Sequence, residues 1–287
     1  MKSLIEYLKE ADEKRVAVGH FNISDLAALK AIFESAQKLN LPVIIGVSEG
    51  EREFVGVSQA AALVASLRHE YNFPIFLNAD HTHSLEKVKE AAMADFDQII
   101  FDGSSLPMEE NIRQTREAVE IAKSINPNIV MEGEIGFIGL SSEVMEKAPD
   151  NLQLTTPQEA KRFVEETKID VLAPAVGNMH GLLKTMLSGD VQKRLNLPLI
   201  KELKTAIGNK FMTLHGGSGT NDGDFVEAIK SGMTIVHVNT ELRVAWRKGV
   251  EQGLREKPEE VAPYKIMPFA VDNMKEVVEN RLKLFNS

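Results

Sequence analysis

The feature that most constrains the fold of this 287-residue chain is a pattern that recurs eight times. Each repeat begins with a short run of β-branched and apolar residues, passes through polar residues or glycine, and ends with apolar residues three and four positions apart. The pattern predicts eight strands that alternate with helices. The predicted strands are residues 15–22, 41–50, 73–81, 98–104, 128–136, 170–178, 210–219 and 234–241.

Strands that are apolar on both faces and joined through helices are typical of a parallel sheet, and eight such units can close into a (β/α)8 TIM barrel. Helix-start signals support this α/β fold, because Ser24 and Ser84 precede helical patterns and Thr156-Pro157-Gln158-Glu159 forms a capping box. No linker divides the chain, so we predict a single domain over residues 1–287. A doubly wound open sheet is the alternative.

Two further segments have predicted roles. The longest connection, Leu182 to Asn209, is too long for a plain turn and is predicted to hold a flexible active-site loop and a helix. The stretch 273–285, "NMKEVVENRLKLF", predicts a final amphipathic helix.

Composition excludes several classes of partner and site. The chain has 42 acidic and 33 basic residues, a formal net charge of −9 and no run of lysine and arginine, so nucleic acid is not an expected partner. It has no cysteine, so a transition-metal site must use histidine and carboxylate ligands. No stretch approaches the roughly eighteen apolar residues of a membrane span. We expect a cytoplasmic protein that acts on small molecules, with no membrane partner.

Polar residues gather where the predicted strands end, which is where barrel enzymes place their active sites. Five of the seven histidines lie there; the other two are His20 and His69. The residues at the strand ends are Asn22, Ser48, Asp80, His81, His83, Asp102, Glu132, Glu134, Asn178, His180, His215, His237, Asn239 and Thr240.

Three of these histidines are candidate metal ligands. His81, His180 and His215 end separate strands, and three protein ligands with one open position are typical of catalytic zinc. Any one of them alone could be an ordinary half-buried histidine, but three in one layer favour a metal site. His83 follows its strand end by two residues and is predicted to lie in the turn before the next helix.

The acidic residues of the same layer have two interpretations each. Asp80 is adjacent to His81, so its side chain should point away from that ligand and hold a proton-transfer position, or it could cap the next helix, although Ser84 is better placed to do so. Asp102 and Glu134 could bind a second metal or orient the first ligands, or they could be turn and cap residues.

Two loops favour an anionic substrate. "HGGSG" (215–219) follows the seventh strand and "NTELR" (239–243) follows the eighth, and barrels often bind phosphate at these loops through backbone N–H groups and a helix N-terminus. None of the strand ends carries a lysine suited to Schiff-base formation. Carbanion chemistry on a sugar phosphate would therefore need a metal as its electron sink.

These motifs together resemble the class II (zinc-dependent) fructose-bisphosphate and tagatose-bisphosphate aldolases. The resemblance runs along essentially the whole chain, through "HFN", "GVSEG", "NADHTHS", "FDGS", "EGEIG", "TTPQEAKRFVEETKIDVLAPAVGNMHG", "HGGSG" and "NTELR", in this order.

The resemblance implies a role for each matching residue. His81, His180 and His215 would bind the catalytic Zn²⁺, Asp102 and Glu134 would serve a second or resting divalent-ion position, and Asp80 would be the acid/base for the hydroxyl beside the cleaved bond. Phosphate would be held by Gly181, Lys184, Gly216, Ser218 and the strand-eight loop, with a monovalent cation (Na⁺ or K⁺) nearby; Asn22, Ser48, His237, Asn239 and Thr240 complete the expected substrate site.

The resemblance also suggests an assembly. The short spacing between His81 and Asp102 is similar to that of the subclass in which a C-terminal arginine reaches the substrate of a neighbouring subunit. Arg281 is the candidate, and a homodimer or homotetramer is expected. A solvated charge on a helix is the other interpretation of Arg281.

The sequence departs from the family pattern at three places. His237 stands where the family has a substrate-contacting asparagine, and Asn239 replaces an acid or small residue. In "FIGLSSEV" the second glycine of the family loop is lost and the acid has moved to Glu143, which leaves the base that deprotonates dihydroxyacetone phosphate open. Asn78 and Thr82 also differ from the residues that usually flank Asp80-His81.

The predicted reaction is the reversible cleavage of fructose 1,6-bisphosphate to dihydroxyacetone phosphate and glyceraldehyde 3-phosphate. Tagatose 1,6-bisphosphate, another aldehyde, or a non-catalytic sugar-phosphate sensor are the alternatives that the altered residues leave open. A metal-dependent hydrolase is disfavoured, because its His-x-His motif would follow the first strand, where this chain has "HFN".

Overall fold

Eight parallel strands form a closed barrel in the computed structural model, which describes residues 2–139, 143–147, 152–187 and 191–287. The barrel order is β1-β10-β9-β7-β5-β4-β3-β2, and a two-stranded sheet, β6-β8, lies outside it. The predicted TIM barrel is therefore confirmed, and the open sheet is excluded. The strands are β1 (Val18–Asn22), β2 (Val43–Val47), β3 (Ile75–Thr82), β4 (Gln98–Phe101), β5 (Val130–Ile135), β6 (Val144–Met145), β7 (Val171–Pro174), β8 (Leu182–Leu183), β9 (Phe211–Leu214) and β10 (Met233–Val238).

Helices connect the strands and cover the barrel. They are α1 (Leu4–Lys14), α2 (Leu26–Leu39), α3 (Glu49–Val55), α4 (Val57–Tyr71), α5 (Leu85–Met93), α6 (Met108–Ile125), α7 (Pro157–Thr167), α8 (Leu197–Ile207), α9 (Asp222–Lys230), α10 (Thr240–Glu256), α11 (Pro263–Ile266) and α12 (Pro268–Phe285), with a 3₁₀ turn at Lys184–Met186. No helix in the described ranges is long and apolar enough to cross a membrane.

The predicted helix starts are correct at two of three positions. Ser84 caps α5, and Thr156 with Glu159 forms the capping box of α7. At α2 the prediction was one residue early, because Asp25, not Ser24, accepts a hydrogen bond from the backbone N–H of Ala28 at 2.7 Å. A carboxylate is as good a cap as a hydroxyl, so both residues satisfied the sequence rule.

The long connection between Leu182 and Asn209 contains the predicted helix, α8, and the short strand β8. Residues 188–190 of the predicted flexible loop lie outside the described residues. The predicted C-terminal helix is present as α12, which begins five residues earlier than the sequence pattern indicated, at Pro268.

The N-terminal end of the barrel is closed by apolar side chains, which we call the barrel floor. Helix α1 packs Leu4, Leu8 and Ala11 against the beginnings of the strands. A larger apolar cluster fills the space between the strands and the outer helices. The floor leaves only the opposite end of the barrel for a site. Its strand residues are Val18, Ile44, Phe76, Val130, Val171, Phe211 and Ile235.

A buried polar layer lies two residues farther along several of the same strands, where strand alternation returns side chains to the interior. The Gln98 amide and the Thr213 hydroxyl both donate to Oε2 of Glu132, and the rings of His20 and His237 stack with centroids 3.4 Å apart. The interior thus changes from apolar to polar within one strand repeat. The polar layer consists of His20, Asn78, Gln98, Glu132, Thr213 and His237.

Candidate active site

Four buried or half-buried side chains converge above the polar layer. His81, Glu134, His180 and His215 each offer a ligand atom, and these atoms lie within 4.8 Å of one another. They come from β3, from β5, from the loop after β7 and from the residue after β9, so the closed barrel brings together positions far apart in sequence. This set could hold one metal ion.

Neighbouring carboxylates fix the tautomers of two of these histidines. Asp102 Oδ2 lies 2.8 Å from Nδ1 of His81, and Glu132 Oε1 lies 2.7 Å from Nε2 of His215. A carboxylate holds the proton on the nitrogen it faces and leaves the other nitrogen free to bind a metal. The remaining nitrogens, His81 Nε2 and His215 Nδ1, are therefore the two available ligand atoms.

The spacing of these atoms fits zinc. His81 Nε2 and His215 Nδ1 are 3.2 Å apart, close to the roughly 3.3 Å expected of two nitrogens on one tetrahedral Zn²⁺. His180 Nε2 and Glu134 Oε2 are buried and have no hydrogen-bond partner among the described residues. Unpaired buried polar atoms are costly, so a bound cation would satisfy both.

An irregularity in β3 places two consecutive side chains at this end of the barrel. His81 has a φ of 42°, and the register between β3 and β4 shifts between Ala79 and Thr82. Strict alternation predicted that Asp80 would point away from His81, but Asp80 Oδ1 lies 3.8 Å from His81 Nε2. The bulge is the physical reason for the difference, and such backbone strain is common at functional sites.

Asp80 is buried and ionised. Burial by itself would raise its pKa, but the charges of His81, His20 and His215 and a hydrogen bond from Asn22 hold the pKa well below its usual range. The Asn22 amide donates to Oδ2 at 2.9 Å, whereas Oδ1 has no partner among the described residues. One oxygen is thus fixed and the other is available to accept a proton.

A hydrogen-bonded chain extends from Asp80 to the surface. The Asn22 amide also donates to Glu51 Oε2 at 2.8 Å, and Nη2 of Arg243 donates to Glu51 Oε1 at 2.8 Å. Glu51 also accepts the backbone N–H of Ser48 at 2.8 Å. Arg243 and Ser48 line the same cavity of about 450 Å³ as Asp80, and Arg243 is the one lysine or arginine among its described lining residues.

The residues expected to bind phosphate line a narrower recess next to the histidines. Gly181 and Gly216 have positive φ, of 74° and 60°, and a Cβ at Gly216 would overlap the Met179 backbone. The Ser218 hydroxyl accepts the backbone N–H of Glu241 at 3.2 Å. The recess brings together most of the predicted site: Asn22, Asp80, His81, His180, Gly181, Gly216, Ser218, His237, Asn239 and Thr240.

A lysine that the sequence did not single out lies under this recess. The Lys193 ammonium donates to three backbone carbonyls, those of Met179 at 2.7 Å, Gly181 at 2.6 Å and Gly216 at 2.9 Å. Burial lowers the pKa of Lys193 to about 7, and the nearby charge of Glu241 opposes that effect. The side chain joins the two loops that carry the expected phosphate-binding glycines.

Four sequence candidates lie outside this cluster. Lys184 is exposed and paired with Glu146, and Arg281 is paired with Glu241 and Asp222. Glu143 lines an adjoining cavity, which it shares with Asn22, Asn239 and Arg243 of the site. Residues 140–142 of its loop lie outside the described residues. His83 occupies the predicted turn before α5 and donates from Nδ1 to the backbone carbonyl of Asp102 at 3.1 Å.

Several functional side chains escaped the sequence reasoning. Glu51 is an ordinary N3 capping-box residue by pattern, and Lys193 has no sequence signal beyond its charge. Arg243 ends the "NTELR" motif, but the motif does not single it out. His20 was recognisable, since it lies two residues before Asn22 on the same strand and must share its face. Gly46 on the next strand provides the space, because a Cβ there would overlap the His20 ring.

Comparison with known proteins gives one family. The family model described as "Fructose-bisphosphate aldolase class-II" matches residues 2–287. The fructose-bisphosphate aldolase of Staphylococcus aureus strain Mu50 is 34% identical over 288 residues, which cover 99% of this chain and 97% of that protein. That of Staphylococcus epidermidis strain ATCC 12228 is 33% identical over the same length and coverage.

Solved structures agree with the sequence comparison. The crystal structure of the YdjI aldolase from Escherichia coli K12 superposes with a TM-score of 0.81 at 26% identity, covering all of this chain and 98% of that one. The fructose-bisphosphate aldolase of Campylobacter jejuni has a TM-score of 0.81 at 20% identity, which supports the fold alone.

Proposed function

The chain belongs to the class II fructose-bisphosphate aldolase family, and we propose that it cleaves fructose 1,6-bisphosphate reversibly into dihydroxyacetone phosphate and glyceraldehyde 3-phosphate. The observation that carries this proposal is the convergence of three histidines, two of them oriented by carboxylates, beside an ionised aspartate with one oxygen held by Asn22. The whole chain, residues 1–287, would act as one catalytic domain.

The family is zinc-dependent, and a buried group in this chain could hold the ion. We assign His81, His180 and His215 as ligands, with Glu134 as the fourth donor or a resting position and Asp102 as the residue that orients His81. When bound, Zn²⁺ would supply Lewis-acid polarisation of the substrate ketone. We also propose that Asp102 and Glu134 could hold a second divalent ion.

Asp80 would move the hydroxyl proton. Its Oδ2 is held by Asn22, whereas its Oδ1 accepts no hydrogen bond from any described residue. This Oδ1 lies 3.8 Å from His81 Nε2 and 3.6 Å from His237 Nδ1. A substrate hydroxyl bound beside the histidines would lie next to this oxygen. Asp80 would take its proton as the carbon–carbon bond breaks, and return it in the condensation direction.

The two phosphates of the substrate would bind at different places in the site. For one phosphate we propose the recess of Gly181, Gly216, Ser218 and Thr240, because backbone N–H groups at the start of a helix such as α10 favour an anion. For the other phosphate we propose Arg243, because it lines the larger cavity and is held there by Glu51. Arg281 is engaged by two carboxylates, Glu241 and Asp222.

Arg281 bears on whether the chain assembles into an oligomer. A homodimer or homotetramer would be needed for Arg281 to reach the substrate of a partner subunit, and its present ion pairs would have to open. We propose such an oligomer and a cytoplasmic location on the basis of the family. Sedimentation of the purified protein would distinguish dimer, tetramer and monomer.

A cleavage assay tests the proposed function. Purified protein is incubated with fructose 1,6-bisphosphate or tagatose 1,6-bisphosphate, with and without a chelator, and triose phosphate release is measured. We expect chelator-sensitive cleavage of the fructose ester that returns when Zn²⁺ is added. Faster cleavage of tagatose 1,6-bisphosphate would show that the enzyme prefers that epimer of the substrate. No cleavage of either sugar by zinc-loaded protein would favour another aldehyde or the non-catalytic sensor.

The role of Arg243 is tested by comparing substrates. In Arg243→Gln we expect the KM for fructose 1,6-bisphosphate to rise about tenfold or more, the usual loss for a charge-assisted contact. The KM for fructose 1-phosphate, which lacks the distal phosphate, should change little. Arg247→Gln, one turn farther along α10 and paired with Glu251, is the matched control. Equal effects on both substrates would contradict the assignment.

A further inference from the structure

The buried ammonium of Lys193 has unusual partners. All of its observed hydrogen bonds go to backbone carbonyls, at 2.6–2.9 Å from Met179, Gly181 and Gly216, and the residue is only 4% exposed. Buried lysines normally pair with a carboxylate. Three acceptors match the three N–H groups of the protonated form, whereas a neutral amine has only two.

A ring of backbone carbonyls around a cation is the arrangement by which proteins bind K⁺ and Na⁺. Two of the carbonyls, those of Met179 and Gly181, lie in the loop after β7 on either side of His180 in sequence. The third, that of Gly216, lies in the loop after β9 and follows His215. Carbonyl dipoles that converge in this way repel one another unless a positive charge lies between them. The ammonium therefore stabilises a loop arrangement that the carbonyls alone would oppose.

The backbone of Lys193 is fixed as firmly as its side chain. Its N–H donates to the carbonyl of Gly219 at 2.8 Å, and its carbonyl accepts the N–H of Asn221 at 3.1 Å. Lys193 and Thr220 also form an isolated parallel bridge. The backbone of Lys193 is thus attached to the glycine-rich loop, and its side chain joins that loop, at Gly216, to the loop after β7, at Met179 and Gly181. Gly181 and Gly216 line the recess proposed for phosphate.

We propose that the Lys193 ammonium is a built-in monovalent cation that positions the phosphate-binding loops, so that this aldolase needs no Na⁺ or K⁺. The covalently attached ammonium would occupy the carbonyl cage in place of a free cation. The three carbonyl acceptors favour its protonated form, which would add positive potential to the phosphate recess. Lys193 is a positioning residue in this account, because its contacts are with the loops. The inference rests on the proposed function, since it concerns the phosphate recess of that same site.

In the unaltered protein the carbonyl cage is already filled, so added alkali cations should have no effect. Wild-type cleavage of fructose 1,6-bisphosphate should be the same in KCl, NaCl, NH₄Cl and tetramethylammonium chloride at equal ionic strength. A several-fold activation of the wild type by K⁺ or Na⁺ over tetramethylammonium would overturn the proposal. This measurement does not depend on the folding of any variant.

Two substitutions then separate the charge from the shape. Lys193→Ala should raise the KM about tenfold to a hundredfold in tetramethylammonium chloride, and NH₄⁺ or K⁺ should restore most of the loss by entering the vacated cage. Lys193→Met, which fills the cage with an uncharged chain, should show the same defect without rescue. A folded Lys193→Ala with an unchanged KM, or a defect that no cation relieves, would contradict the proposal.

A control lysine and a second readout complete the test. Lys204 also donates to a backbone carbonyl, that of Lys210, but lies near the floor and pairs with Asp12; Lys204→Ala should show no dependence on the cation. Binding of inorganic phosphate, measured by calorimetry, should show the same pattern across the variants. If the wild type binds phosphate but cleaves neither sugar, the proposed function fails while the role of Lys193 is still decided.

Discussion

The two ends of the barrel interior are built from the same eight strands but have opposite chemistry. At the floor, inward-facing residues such as Ile44, Phe76 and Phe211 pack on α1 in an apolar cluster. Two and four residues farther along the strands, the inward-facing residues are histidines, carboxylates and amides. Several of them have buried atoms with no hydrogen-bond partner in the part of the chain that the structure describes.

The difference shows how the fold divides stability from function. Burial of apolar side chains at the floor is favourable on its own. Buried polar atoms without partners cost free energy, so the polar half must be stabilised by the strands around it and by what it binds. Substitutions at the floor should therefore change the free energy of unfolding, and substitutions above it should change metal binding and turnover.

The largest effect is expected at His180. His180→Ala removes a proposed ligand, so metal and cleavage should be lost together, with activity falling by about 10⁴-fold or more to background. Metal content by mass spectrometry and the cleavage rate should be measured on the same preparation. His69→Ala, at an exposed position of α4, is the control and should change either quantity only slightly. A His180→Ala protein that stays active without metal would rule out the ligand assignment.

The opposite result is expected at the floor. Phe76→Ala leaves a cavity among fully packed side chains and should lower the free energy of unfolding by about 3–5 kcal/mol. Metal content and KM should stay close to those of the wild type. Denaturant unfolding measures the free energy of unfolding, and metal analysis together with the cleavage assay measures metal content and KM. Phe54→Ala, whose side chain is 80% exposed, is the control. A loss of metal affinity in Phe76→Ala would contradict the proposed division between stability at the floor and metal binding above it.

A smaller effect is expected at Glu132, which belongs to the polar layer and supports His215. Glu132→Gln keeps a hydrogen-bonding group but removes the charge that holds the proton on His215 Nε2, so metal affinity should fall about tenfold to a hundredfold. Competition with a chelator would measure it. Glu117→Gln, on an exposed helix face, is the control, and equal affinity in Glu132→Gln and the wild type would show that the tautomer is fixed in another way.

The sequence predicted the barrel because its signals are local and repeat. Alternating strand and helix patterns, caps at Ser84 and Thr156, and polar strand ends each depend on a few neighbouring residues. The sequence also predicted that the histidines lie close together, because parallel strands end at one face of a barrel. The predicted cap of α2 was wrong by one residue, because Ser24 and Asp25 are adjacent and both have good capping side chains.

The parts that the sequence could not predict depend on contacts across the chain. The bulge that brings Asp80 next to His81 follows from the pairing of β3 with β4, and alternation alone gave the wrong direction for Asp80. Lys193 lies in a long connection whose path decides its partners. Arg243 and Glu51 are 192 residues apart, so their ion pair leaves no local pattern.

The central claim is that the polar end is a metal aldolase site in which metal binding and proton transfer are done by different residues. Asp80→Ala separates the two functions, and the measurement is its zinc content and cleavage rate after loading with one equivalent of Zn²⁺. We expect one bound zinc and a rate reduced by about 10²–10⁴-fold or more. Loss of zinc, or wild-type turnover with zinc bound, would contradict the account.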